Sequence, residues 1–401
     1  MKKLKDSIKY IKIKDIIDIF FFVLIIIPAI SFKLYNKIRK KEIWLLAERR
    51  DTASDNAYFF YIYLKENHPL VNSYYAIDKK CKEYNNVCKY GNIINYGSIK
   101  HWIYYLAADK NISSQKSGNP SNALFYILHV KLNLFKNRYY LQHGLVKDDL
   151  KWLYYNDTKF NKFYCGAKDE YEYIKKNFGY PDSNLEYTGL ARFDNLIDIK
   201  VNKKQILLIP TWRSYLTRET NILNKNVDFL STSFYKYWQE LLNNKALHKY
   251  LLDNDITLYF YPHYNMKKYI DNYSVNCSNI KIVKSFDENI QKYLIESSLM
   301  VTDYSSVFFD FAYMKKPIIF YQFDLEEYRQ KQYQEGYFNY DNGFGDVIFN
   351  SDDVVKKIIY YVDNNYKVEK KYLDRMDNFF EIHDKNNCKR IYESISGRNE
   401  K

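Results

Sequence analysis

Residues 298–321, SLMVTDYSSVFFDFAYMKKPIIFY, constrain the fold of this chain more than any other stretch. Residues 299–302 are a short apolar run that ends in a polar turn. From Ser305 onward Val307, Phe308, Phe311, Ala312 and Met314 recur at helical spacing, and Pro317 ends that helix before a second apolar run, residues 318–321. The pattern predicts strand, turn, helix, strand. In a parallel sheet such a unit puts the helix N-terminus, with its unpaired N–H groups, at the carboxyl edge of the sheet. Ser305 and Ser306 occupy the turn, so their hydroxyls and backbone amides point to one spot that suits a phosphate. The competing reading makes Ser305 an ordinary N-cap.

The same alternation runs along the chain. Strand candidates at residues 43–46, 73–77, 92–95, 111–113, 139–142, 163–165 and 185–188 are separated by helical patterns such as residues 57–64. A second series follows at 206–209, 257–261, 281–283, 299–302 and 318–321, with a weaker member at 347–349. Alternation on this scale argues for parallel βαβ units. A polar, charged segment, residues 194–204, separates the two series. The expected organisation is two doubly wound α/β domains facing a cleft, residues 42–198 and 199–362, with a helical tail, 363–401, packed back on the body. A length of 401 residues accommodates two such cores.

Residues 1–41 hold 11 Lys/Arg against Asp6, Asp15 and Asp18, so +8 of the chain's +13 lies there. A nucleic-acid binder would carry its charge on the folded domains. Leu4, Ile8 and Ile11 share a helical face beside Lys5, Lys9 and Lys12, giving a basic amphipathic start. The apolar run that follows, residues 19–32, counts 14 residues against the roughly 20 that a spanning helix needs, and Pro28 interrupts it. The expectation is a monotopic segment on an anionic cytoplasmic leaflet. A single span extended through Ile16 and Ile17, or a buried core helix, are the alternatives. The five cysteines show no metal-type spacing and are odd in number, which suits a reducing compartment.

The polar motifs lie just past the strand ends, where open α/β sheets bind ligands. His143 and Gly144 follow one strand, Thr211 and Arg213 another, His263 a third, and Thr302, Asp303, Ser305 and Ser306 a fourth. Two histidines in one cleft would supply a base for an attacking hydroxyl and a donor for developing charge, although either ring could be structural. Gly144 would let a substrate approach the backbone. Arg213 suits a pyrophosphate clamp or an interdomain salt bridge. Asp310 could meet ribose hydroxyls or be a solvated helix charge, and Asp303 could brace its own turn. There is no Walker A sequence and no G-x-G-x-x-G after a strand, which counts against ATPase and dinucleotide readings. No side-chain cluster has metal-ligand spacing, so no cofactor is expected beyond a diffusible Mg²⁺ on a pyrophosphate.

Taken in order, ERRDTASDN, QHG, TGLARFD, PTWR, PH and TDYSSVFFDFAYMKKPIIFY resemble the CDP-glycerol glycerophosphotransferase family of teichoic-acid and capsule polymer enzymes. The resemblance implies a GT-B fold, peripheral membrane association, and transfer of an alditol phosphate from CDP-glycerol or CDP-ribitol to a lipid-linked saccharide or growing polymer, with release of CMP. It implies His143 as general base and His263 as its partner. Thr211, Arg213, Thr302, Asp303, Ser305, Ser306 and Asp310 would serve the donor, and Asp55, Asn56, Gly144 and Arg192 the acceptor side or the frame. Leu145 and Ala191 depart from the family pattern in the acceptor-facing half. A nucleotide-sugar glycosyltransferase and a non-catalytic membrane scaffold are the alternative functions.

Overall fold

The computed structural model describes residues 13–217, 228–284 and 290–397. The basic amphipathic start expected at residues 1–12 lies outside them. The first lobe is a seven-stranded parallel sheet. Its strands are β1 (Trp44–Ala47), β2 (Ser73–Ile77), β3 (Ile93–Asn95), β4 (Lys110–Ser113), β5 (Arg138–Tyr140), β7 (Lys162–Cys165) and β8 (Leu185–Tyr187), in the spatial order β3-β2-β1-β4-β5-β7-β8. The short β6 (Asp148–Asp149) stands outside this sheet.

The second lobe is a six-stranded parallel sheet of β9 (Asn202–Ile209), β10 (Thr257–Phe260), β11 (Ile280–Ile282), β12 (Ser297–Thr302), β13 (Ile318–Tyr321) and β15 (Gly345–Ile348), ordered β11-β10-β9-β12-β13-β15. Every residue of β1, β12 and β13 is buried. Apolar runs without alternation are what a sheet covered on both faces requires. In each lobe the strand order reverses beside the first strand, and such switch points open a crevice at the carboxyl edge.

The lobes are fused through a shared core. Leu145, Leu190 and Phe193 of the first pack with Tyr304, Phe308 and Tyr313 of the second, and the Phe193 and Tyr313 rings stack at 4.2 Å. The antiparallel pairing of β6 with β14 (Gln334–Glu335) adds a second fastening, reinforced by Arg329 on Asp148 at 2.6 Å. The sequence pattern did not signal this two-residue ladder. The last helix, Asn387–Ser396, returns to the first lobe, where Cys388, Ile391 and Ile395 join the cluster around Trp44 and Phe60.

The N-terminal apolar run is longer than its composition suggested. Helix α1 (Ile13–Ile38) continues unbroken through Pro28 for 26 residues, about 39 Å at 1.5 Å per residue. Within residues 16–38 an 18-residue window reaches a mean hydropathy of 2.4, enough in length and composition to cross a membrane. The count of 14 is thus corrected: flanking Ile16, Ile17, Leu34 and Ile38 extend the apolar surface. One stripe of α1, containing Phe22, Ile25, Ala29 and Phe32, packs against Trp102, Tyr105 and Phe125 of the first lobe. The opposite side exposes Ile16, Phe20, Leu24, Ile27, Ile30 and Leu34.

Candidate active site

At the carboxyl edge of β5 the chain turns sharply. Gln142 takes a left-handed conformation, φ 49°, which ends the strand at Tyr140, earlier than its apolar pattern indicates. Side chains from distant parts of the lobe hold this corner. Asn56 Nδ2 donates to the carbonyls of Leu141 and Gln142, at 3.2 and 2.8 Å. Buried Glu170 accepts from Gln142 Nε2 at 3.0 Å and from the backbone N–H groups of Val146 and Gly166 at 2.6 and 2.7 Å. Burial pushes the Glu170 carboxyl up to about 7, against the pull of those donors.

His143 is exposed at the apex of the corner. The surrounding protein nevertheless desolvates it and holds its pKa below the ordinary imidazole value. Accessible surface and desolvation coexist when a ring lies on the floor of a crevice. The Asp55 carboxylate, with a smaller contribution from the nearby Ser114 backbone, favours the protonated ring. The charges of Arg49 and Arg192 oppose it.

The serine turn lies across from this corner. Asp303 Oδ1 accepts from the backbone N–H groups of Tyr304 and Thr211, at 2.6 and 2.8 Å. With the turn braced in this way, the following helix, Phe308–Tyr313, begins three residues after Ser305, and the N-cap position is taken by Val307, which has no side-chain cap. The N-cap reading of Ser305 is therefore corrected. Ser305 and Ser306 are half-buried, and no hydrogen bond from either hydroxyl is present among the described residues. A Cβ placed on Gly144 would sit 3.3 Å from Ser306 Oγ, so the QHG corner and the serine turn face each other in contact range.

His263, half-buried after β10, accepts the Asn265 backbone N–H on Nδ1 at 3.1 Å. The proton of its neutral ring is then on Nε2, a donor. Burial, then the Arg49 charge and His143, lower its pKa to about 4. Thr211 Oγ1 is buried without a hydrogen-bond partner, whereas Thr302 Oγ1 is spent on the Ile209 carbonyl at 2.7 Å.

Two expected ligand contacts are taken up inside the protein. The fully buried Arg213 guanidinium bonds Asp324 through Nε and Nη2 at 2.9 Å each, Asp303 at 2.9 Å and the Thr211 carbonyl at 2.8 Å. It braces the turn within the second lobe and turns no face to the crevice, so neither the clamp nor the interdomain bridge describes it. Asp310 is buried and paired with Arg192 from the first lobe, so it is neither solvated nor open to a ribose. Arg192 also reaches Asp55 at 2.9 Å and the His143 carbonyl at 3.1 Å. A polar residue alone in FFDFAY, a helix buried on every side, was the available signal that Asp310 needs a cation partner. Glu48, missed in the sequence reading, accepts from the N–H groups of Ser54, Asp55 and Tyr58. Burial and Asp55 push it up to about 8. Nothing in the KDEYEY segment marked Glu170 as buried.

Leu145 and Ala191, the two departures from the family pattern, are both core residues, in the interlobe cluster and in the first-lobe cluster. Among the described residues no group of three or more His, Cys, Asp or Glu could hold a metal ion.

The model of the CDP-glycerol:poly(glycerophosphate) glycerophosphotransferase family matches residues 29–397. This chain belongs to that family. It is 33% identical over 372 residues to the minor teichoic acid biosynthesis protein GgaB of Bacillus subtilis, covering 91% of this chain and 40% of that protein. It is 24% identical over 303 residues to the teichoic acid poly(glycerol phosphate) polymerase of the same organism, covering 69% of this chain and 38% of the relative. The chain thus spans about 40% of the length of these relatives. In fold it is similar to the wall teichoic acid polymerase TagF, with a TM-score of 0.63 at 16% identity over 92% of this chain and 97% of that one. It is also similar to a UDP-N-acetylglucosamine 2-epimerase from Neisseria meningitidis, with a TM-score of 0.52 at 12% identity over 89% and 100%. The two facing sheets are therefore GT-B-like, as the motif order implied.

Proposed function

We propose that this family member transfers an alditol phosphate from a CDP-activated donor to a hydroxyl of a lipid-linked saccharide or growing polymer. The QHG corner, with the His143 imidazole held below its ordinary pKa and the unbonded serine turn in contact range, carries the reading. The acceptor oxygen attacks the β-phosphorus and gives its proton to His143. The bond from that phosphorus to the bridging oxygen breaks, and the bridging oxygen leaves on CMP. His263 Nε2–H and the hydroxyls of Ser305 and Ser306 donate to phosphate oxygens. Thr302, Asp303 and Arg213 keep the turn rigid beneath them. Asn56, Glu170 and Arg192 hold the corner that carries the base.

Relatives named for glycerol-phosphate and for ribitol-phosphate transfer, together with a TagF structure soaked with CDPG, make CDP-glycerol and CDP-ribitol the donors to try first. Helix α1, docked lengthwise by one stripe and apolar on the other, suits an interfacial helix that holds the crevice beside a lipid acceptor on the cytoplasmic leaflet. Incubating the purified protein with membranes and CDP-glycerol, CDP-ribitol or UDP-sugars tests the reading. Donor-dependent CMP release supports it. UDP release from a nucleotide sugar, or donor binding without turnover, overturns it.

A further inference from the structure

We infer that Arg49 is the phosphate-binding cation of the crevice, supplying from the first lobe the positive charge that Arg213 does not supply from the second. The inference rests on the transferase reading for the identity of the ligand, and on the following placement for the existence of the site.

Arg49 follows β1 by two residues. β1 pairs with β4 in the register Ala47 to Ser113, and β4 pairs with β5 in the register Ser113 to Tyr140. Arg49 and the QHG corner therefore emerge at the same sheet edge, with only β4 between their strands. The Arg49 backbone N–H is fixed on Thr52 Oγ1 at 3.2 Å. Its side chain is exposed, and among the described residues it has no carboxylate or other partner.

The neighbouring cations are committed. Arg50 pairs with Asp78 at 2.7 Å, Arg192 with Asp310 and Asp55, Arg213 with Asp303 and Asp324, and buried Lys147 with Asp148. The Arg49 charge acts on both imidazoles in the direction that opposes their protonation. An unpaired guanidinium emerging at the sheet edge that carries the QHG corner, which itself lies against Ser306, adds a cation to a set of donors without an anion. A phosphate supplies the missing acceptor oxygens, and the planar fork of arginine suits two of them. The phosphate could belong to the donor pyrophosphate or to the alditol phosphate end of the acceptor.

The test is equilibrium binding of CDP, glycerol 3-phosphate and cytidine to the full chain and to R49Q, R49K and R50Q. The expected result is that R49Q weakens CDP or glycerol 3-phosphate at least about tenfold and leaves cytidine unchanged. R49K recovers part of the loss, and R50Q behaves as wild type. Loss confined to CDP assigns Arg49 to the donor, and loss confined to glycerol 3-phosphate assigns it to the acceptor side. Removing the charge also moves the acid limb of activity to higher pH, which a merely structural role would not do. Equal binding of both phosphate ligands by R49Q and wild type, or no phosphate binding by the wild type, overturns the inference. Because binding needs no turnover, failure to release CMP would sink the transferase reading and leave this measurement standing.

Discussion

Arg192 grips Asp310 with both arms of its guanidinium, Nε to Oδ1 at 2.6 Å and Nη2 to Oδ2 at 2.8 Å, and in doing so ties the lobe that carries His143 to the helix behind the serine turn. Both side chains are almost wholly buried. The same guanidinium bonds the His143 carbonyl, so the position of His143 depends on an ion pair that spans the two lobes.

Removing either partner leaves a buried charge unpaired. Arg192→Ala and Asp310→Ala are each expected to lower unfolding free energy by about 3–5 kcal/mol in urea titrations. The double replacement Arg192→Met with Asp310→Leu is expected to lose less than either single change. Additive losses would show that the two residues act separately.

Arg213 is expected to behave as a structural residue. Arg213→Ala should destabilise the protein by about 3–5 kcal/mol, because it strands Asp303 and Asp324 in the core. Arg213→Lys should fail to restore the stability, since an ammonium cannot reach Asp324 through two nitrogens at once. Unfolding curves check this. An Arg213→Ala protein as stable as wild type, with a selective loss of CDP affinity, would return the residue to the donor site.

His143 is held below the usual imidazole range of about 6.5. The neutral base therefore persists under mildly acidic conditions, and kcat/KM is expected to stay on its plateau as pH falls through 6.5 and to bend only below it. The stability linkage has the matching sign. An imidazole lowered by folding contributes fully above the unfolded value and loses its contribution as pH falls from there toward the folded one. An acid limb at or above pH 6.5 would contradict the assignment.

Helix α1 presents Phe20, Leu24 and Ile27 away from the body. Replacing all three with Asp spares the docked stripe of Ile25 and Ala29 and is expected to weaken sedimentation with anionic vesicles by at least about 100-fold, each side chain forgoing about 1.5–3 kcal/mol of burial. Undiminished sedimentation would remove α1 from the membrane contact.

The strand, turn, helix, strand unit was legible because both apolar runs and the helical period are local. Its helix start was not, because the Asp303 carboxylate captures the Tyr304 and Thr211 amides and delays the first helical turn until Phe308. The fate of Arg213 depends on Asp324, which returns 111 residues later, and no local pattern carries that. Asn56 and Glu170 likewise reach the QHG corner from the first turns of helices that follow other strands, so their role is written only in three dimensions. The length of α1 was underestimated because the count stopped at charged Asp18 and Lys33, which a helix places on its flanks without breaking.

The most direct test of the account is CMP release from CDP-glycerol or CDP-ribitol, in the presence of a membrane acceptor, by the wild type and by His143→Ala. The account predicts a donor-dependent rate that falls by about 10²–10⁴-fold in the variant, with CDP affinity unchanged. Equal rates from the two proteins would contradict it.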